Sequence, residues 1–315
     1  MTAGSFGERD SGPKQRPLVG WLWHAAAVVS GLLMLLLLRL IQRATGQGEM
    51  PIFLFGPIVG VLFVLPLLLY KKGQRHFVAS AERVVAGDKR PPVVYVRSFA
   101  AERQISEEER ALAGILGEVG PFVAIGNPGD RLPPLGASRF YVPGSDWQEF
   151  VAGLVRNARF VLMLAGATRG LAWELQLCQH VLNPLQLIIL IPRDEQAYEA
   201  FRAVARSAEF YLPPYPPLPA WSIPGNILAI VTFEDNWVAS LVVRHYGVFD
   251  AASRLAEMTA SLRLELKDVL GSRGIALAAE EDRFDRLLRR HWRLGFIVLV
   301  VLVLWKAIEM LYGAP

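Results

Sequence analysis

The sequence predicts a doubly wound α/β domain joined to membrane-spanning helices, and three observations carry that prediction. Between about residues 91 and 240, five short aliphatic runs alternate with segments of helical spacing. The runs are continuously apolar rather than alternating, as expected of parallel strands covered on both faces. Two further stretches near the N-terminus are each apolar for about 20 residues, the length that crosses a hydrocarbon core.

The first of these stretches is Leu18 to Leu38, in which only His24 is ionisable, and the second is Pro51 to Tyr70, which is uncharged and contains Pro57 and Pro66. Residues 42–50 between them are too few for a domain, so the pair reads as a hairpin whose ends lie on one side. His24, beside Trp21 and Trp23, reads as an interfacial residue. A third span is expected at Leu294 to Tyr312, interrupted by Lys306 and Glu309, which can pair three residues apart or snorkel. Basic residues flank the spans at Lys14 and Arg16, at Lys71, Lys72 and Arg75, and at Arg286, Arg289, Arg290 and Arg293. The positive-inside rule therefore puts Lys71 to Arg293 in the cytoplasm of a multi-pass inner (plasma) membrane protein.

The folded domain follows the Pro91-Pro92 pair. Val93 to Ser98 is the first strand, leading into a charged segment and then a helix carrying Leu112, Ile115, Leu116 and Val119. Phe122 to Ile125 is the second, running into the turn residues Gly126 to Asp130 and a Pro-rich loop. Asp146, with Glu149 three residues on, reads as the capping box of a helix carrying Trp147, Phe150, Val151, Leu154 and Val155. Phe160 to Ala165 is the third strand, and Thr168-Arg169-Gly170 opens the helix 171–182. Leu187 to Ile191 is the fourth, and Ile227 to Phe233, after the Pro-rich stretch 211–219, the fifth. Two amphipathic helical stretches, about 240–270 and 275–293, then lead to the last span. The resulting division is a cytoplasmic tail 1–17, the hairpin 18–70, a linker 71–90, the α/β domain 91–240, a helical connector 241–293 and the third membrane helix 294–315.

Composition narrows the function. The chain has 315 residues, 53% hydrophobic and 20% charged, with a mean hydropathy of +0.32, which excludes disorder and an ordinary soluble globule. Its one cysteine, Cys178, excludes a disulfide scaffold and a multi-cysteine zinc site. No metal site is expected. A net charge of +4, dispersed along the chain, gives no nucleic-acid footprint. The strong preference for arginine over lysine, with much Ala, Leu and Gly, suggests a GC-rich bacterial source. No dinucleotide GxGxxG, phosphate loop, GxSxG or HExxH motif is present. Cys178 and His180 lie two apart on a helix, hence on different faces.

Doubly wound sheets bind ligands at the carboxyl ends of their strands. That rim gathers Arg97, Ser98 and Phe99 after the first strand, Gly126 to Asp130 after the second, and Ala167 to Glu174 after the third. Glu174, in the first turns of its helix, is the ionisable residue best placed for chemistry. Its bland reading is a carboxylate stabilised by the helix N-terminus, just as Arg97 has a structural alternative, pairing with Glu107 or Glu108.

VYVRSF, AIGNPGD, DWQEFVAGLVRNARFVLML and TRGLAWEL together resemble the Toll/interleukin receptor (TIR) superfamily and its bacterial relatives over residues 91–240, and GLAWEL also resembles the nucleoside deoxyribosyltransferases. The resemblance implies a flavodoxin-like, five-stranded parallel sheet. It also implies a signalling or defence effector, activated by self-association, that cleaves the N-glycosidic bond of NAD or a related nucleotide as substrate, with no cofactor. Glu174 takes the catalytic place. The rim residues are then assigned to substrate: Arg97 to the pyrophosphate, Phe99 or Trp173 to a base or the nicotinamide, and Asn127 and Asp130 to ribose hydroxyls, with Ser98 and Thr168 beside them. The alternative is a non-catalytic module of the same fold that binds a nucleotide or a protein. The partners expected are the bilayer, a nucleotide and further copies of the chain.

Overall fold

The computed structural model describes residues 13, 15–44, 52–98, 106–142, 144, 146–207, 209–217, 225–244 and 254–277. They fall into two compact units, Lys14–Phe77 and Val78–Leu277.

In the first unit α1 (Pro17–Ala44) and α2 (Ile52–Arg75) pack as a helical hairpin. Pro17 opens α1 at a position where the missing N–H costs no hydrogen bond. Residues Pro17–Leu37 are long and apolar enough to cross a membrane; among the described residues this is the single segment meeting both criteria. Its outward side chains are apolar, with Leu18, Leu22, Val29, Leu33, Leu36 and Leu37 all exposed. The expected third span, Leu294 to Tyr312, lies outside the described residues. At the end of the hairpin where the chain leaves it, His24 is 3% exposed. Its ring stacks on Tyr70 at 5.0 Å and Phe77 at 5.4 Å, with Trp21 edge-on at 5.8 Å. Close approach here requires small residues, since a Cβ on Gly20 would stand 2.6 Å from the Phe77 ring. Lys72 lies over the Trp23 ring, 3.9 Å from its centroid.

The second unit begins with α3 (Ala81–Gly87), capped by the Ser80 hydroxyl, which accepts from the Arg83 N–H. There follow β1 (Val93–Val96), α4 (Ser106–Leu116), β2 (Phe122–Ile125), β3 (Ser138–Phe140), α5 (Trp147–Arg156), β4 (Phe160–Leu164), α6 (Arg169–Val181), β5 (Leu187–Pro192), α7 (Glu195–Ser207), β6 (Ile227–Phe233), β7 (Ala239–Val243) and α8 (Arg254–Gly271). One sheet runs in the order β3-β2-β1-β4-β5-β6-β7. Its first five strands are parallel, with Val93 beside both Phe122 and Phe160. The last two are antiparallel additions, Leu190 pairing with Ile230 and Ile230 with Val242.

The continuous apolar runs divide by alternation between two cores. Val94, Val96, Val161, Met163 and Ile189 face the side covered by α5, α6 and α7. Val93, Tyr95, Phe160, Leu162 and Ile188 face α4 and α8. Each strand is therefore apolar at every position because both faces are buried.

The expectation of five parallel strands is corrected in two ways. The sheet has seven strands, and β6 runs antiparallel to the first five, with β7 pairing antiparallel to β6 and so returning to their direction. Where a helix is expected over 240–270, residues 240–243 belong to strand β7 and α8 covers the stretch from Arg254. Nor is α8 a connector: Met258, Leu262, Leu266 and Leu270 are among the most buried residues of the unit and cover the α4 side of the sheet. The second expected stretch, 275–293, is not helical at 275–277 and otherwise lies outside the described residues. Asp146 does precede α5, but its side chain makes no cap bond, so the expected capping box is not formed.

Candidate functional site

A cavity of about 430 Å³ opens where β1, β2 and β4 end, floored by Val94, Val96 and Ile125. The site lies at the carboxyl ends of parallel strands, beside β1, whose neighbours in the sheet, β2 and β4, leave the chain order in opposite directions. Four of the eight site residues expected from sequence line it: Glu174, Arg97, Ser98 and Thr168. Phe99 lies outside the described residues.

Glu174 reaches the cavity because Thr168 starts α6 there. The Thr168 hydroxyl oxygen accepts from the Leu171 N–H at 3.3 Å, an N-cap that fixes the first turn. Leu171 and Leu175 then anchor the inner face of the helix in the core, leaving Glu174 on the face toward the cavity. Its carboxyl is half-buried among apolar walls, and desolvation pushes its pKa up to about 8, opposed by the positive charge of Arg97. Among the described residues no hydrogen bond or ion pair reaches this carboxyl. One turn on, Cys178 is fully buried, and burial followed by the charge of Glu174 holds its thiol well above the usual range. His180 points outward, its Nδ1 2.7 Å from the Gln176 carbonyl.

Arg97, expected at the pyrophosphate, is buried in the cavity wall. Its side chain is 1% exposed, and its Nε donates to Glu109 Oε2 at 3.1 Å. Where the structural alternative named Glu107 or Glu108, the carboxylate shown against Arg97 is Glu109. The other oxygen of Glu109 accepts from Arg139 at 2.7 Å and from the Ala137 N–H at 3.0 Å. Glu108 instead accepts from the Asn226 N–H.

The remaining expected residues are off the cavity wall. Asn127 Oδ1 accepts from the Gly129 N–H at 3.0 Å, an Asx turn within the loop, while its neighbours Gly126 and Pro128 do the lining. Asp130 accepts from the Tyr141 hydroxyl at 3.5 Å. Trp173 packs edge-on against Trp147, with 5.0 Å between centroids, and it is Trp147 that faces the cavity. Trp147 was legible as an aromatic at the start of a helix following a rim loop. The Glu109–Arg139 pair carried no such signal, because three consecutive glutamates offer equivalent partners.

In chemical terms the cavity is lined by one carboxyl whose pKa is raised to about 8, by Arg97, by an indole at its edge, by the hydroxyl-bearing Tyr95, Ser98 and Thr168, and otherwise by apolar residues. That combination suits a ligand with a flat apolar portion and a centre that becomes positive during reaction. Comparison of the chain with family models, curated proteins and solved structures gives no match.

Proposed function

We propose that the chain is a membrane-anchored TIR-like protein whose cavity cleaves the N-glycosidic bond of NAD or a related nucleotide, acting as an effector when copies associate. The observation that carries this reading is Glu174: a carboxyl without a hydrogen-bond partner among the described residues, held by desolvation near pKa 8, in the cavity at the strand ends. The core strands β2-β1-β4-β5-β6 follow the 2-1-3-4-5 order of flavodoxin-like sheets, with the last strand reversed. That order supports the flavodoxin-like and TIR-like reading of the fold.

In this mechanism the bond between ribose C1′ and the nicotinamide nitrogen breaks, and its electron pair neutralises the cationic ring, so no acid is needed for departure. The positive charge passes to the ribose. An ionised Glu174 stabilises that oxocarbenium-like centre, and water then adds to C1′, giving its proton to Glu174 and onward to solvent. A desolvated carboxylate interacts more strongly with a developing cation than a solvated one does. Trp147 offers a face or edge for the base, and Ser98 and Thr168 offer hydroxyls near the ribose.

The anchor in this reading is multi-pass, with α1 and α2 both crossing the inner membrane and the α/β unit in the cytoplasm. Supporting it are the uncharged run Ile52 to Tyr70 in α2 and the basic residues Lys72 and Arg75 in its last turn. Confinement to a bilayer raises the effective concentration of copies, which favours self-association.

The test uses the full chain reconstituted in liposomes at high surface density with NAD, following nicotinamide release. Glu174→Gln should lower turnover by about 10²- to 10³-fold, the scale of losing a transition-state electrostatic contact, without unfolding the domain. No release at any density from folded protein would favour the non-catalytic module, and NAD binding unchanged in Glu174→Gln would then identify it.

A further inference from the structure

Resting on the reading of α1 and α2 as membrane-crossing helices, we infer that the end of the hairpin carrying Arg16, Lys71 and Lys72 is a binding surface for an anionic phospholipid. The basic side chains hold its headgroup and the leucines beneath them take its acyl chains. Arg16, Lys71 and Lys72 are all exposed. Among the described residues none of the three is paired with a carboxylate. Between Lys14 and Ala81 the sequence contains one acid, Glu49, in the connection between the two helices, so the hairpin itself supplies no carboxylate at this end.

The cations converge on one point. The Arg16 N–H donates to His76 Nδ1 at 3.5 Å, and His76 is buried at the end of α2. Its pKa is lowered first by that burial and then by the positive charges of Lys72 and Arg75. The imidazole thus joins the two helix ends without adding a charge. Lys72 is also held by the Trp23 ring, 3.9 Å from its centroid, which sets the ammonium at the level of an interfacial tryptophan.

Apolar surface lies beneath the cations in matching register. Leu67 and Leu68 stand one turn before Lys71 and Lys72, on the same faces of α2, and both are exposed. On α1, Leu18 and Leu22 likewise share a face just after Arg16, and both are exposed. A headgroup at the cations therefore directs its chains along leucines already turned outward. A zwitterionic lipid offers the same phosphate and chains, but its own cation is set against the cluster, so the net charge of the headgroup decides.

The experiment is native mass spectrometry of the full-length protein in detergent micelles, titrated with phosphatidylglycerol or with phosphatidylcholine of identical chains. The wild type should bind phosphatidylglycerol about tenfold more tightly than phosphatidylcholine. Lys72→Gln should weaken phosphatidylglycerol binding about fivefold, and Arg16→Gln with Lys72→Gln should abolish the preference, since each basic residue near a membrane surface contributes on that scale. Lys72→Arg, which keeps the charge, should bind as the wild type does, and so should Lys267→Gln, which removes an exposed lysine of α8. Equal binding of the two lipids, or a preference that survives in the double variant, overturns the inference. Should the double variant not fold, Lys71→Gln decides in its place, a loss of about fivefold being required. Soluble glycerol phosphate at the same concentration should leave the lipid bound; displacement would mean a phosphate site and overturn the lipid assignment. Alkaline carbonate extraction from vesicles tests the anchor by itself. A chain that is extracted ends both readings, whereas one that stays in the bilayer with no lipid preference ends this inference alone.

Discussion

Glu174 has an ordinary carboxylate value of 4.5 and a value near 8 where it stands, so folded and unfolded chains bind different numbers of protons between those limits. The folded state keeps a proton that the unfolded state releases. The contribution of this group to stability is therefore full below about pH 4.5 and is lost as pH rises toward 8, by at most about 1.4 kcal/mol per pH unit. Glu174→Gln removes that dependence. The melting temperature of the variant should rise relative to the wild type between pH 5 and 8.5, measured by circular dichroism, and a pH-independent difference would mean an ordinary carboxyl. Activity should run the other way: if the ionised form stabilises the transition state, kcat/KM for NAD climbs about tenfold per pH unit up to about pH 8 and then levels. A profile that falls across this range would assign Glu174 the role of acid instead. The position of Glu174 was legible because strand, cap and helix onset all stand close together in the sequence. The fate of Arg97 was not, since choosing among Glu107, Glu108 and Glu109 requires knowing which helix face meets the sheet.

At the scale of elements, the buried parallel strands were legible because an apolar run between turn residues has few other readings. The two edge strands were not. Ser138–Phe140 is three residues long, and Ala239–Val243 is half-buried throughout, so neither produces an apolar run or a clean alternation. Helix α7 shows the same limit. It is highly charged and buries only Tyr198, Phe201 and Ala205. The side chains that tie α8 to β6 and β7 are polar as well as apolar: Arg244, just after β7, donates to Glu265 at 3.0 Å, to Ser261 at 2.7 Å and to the Ile227 carbonyl at 2.7 Å. Burial lowers the pKa of Arg244 and the charge of Glu265 opposes that shift, so the ion pair offsets part of the desolvation cost. A helix so placed is part of the fold. Leu262→Ala should destabilise the α/β unit by about 2 to 5 kcal/mol, the range for a fully buried leucine, in denaturant unfolding followed by domain fluorescence. A connector helix would tolerate the same change within about 0.5 kcal/mol.

At the scale of the whole molecule, the charges flanking the hairpin bear on the proposed topology. Arg16 precedes α1, while Lys71, Lys72 and Arg75 close α2 beside Trp21, Trp23 and Tyr70, and the opposite end of α1 carries Arg39 and Arg43. Trp and Tyr gather at either membrane interface, and an excess of Lys and Arg favours the cytoplasmic one, which makes the side a matter for measurement. If both helices cross, the short connection between them faces outward and the α/β unit inward. Cys178 makes the test clean, because it is fully buried with its thiol held protonated and stays silent to a membrane-impermeant maleimide. A cysteine introduced at Gly46, between the two helices, should then label in intact spheroplasts. One at Gln196, exposed on α7, should label only after permeabilisation. Labelling at Gln196 in intact spheroplasts would place the domain outside, away from cytoplasmic NAD, and would remove the proposed substrate together with the proposed topology.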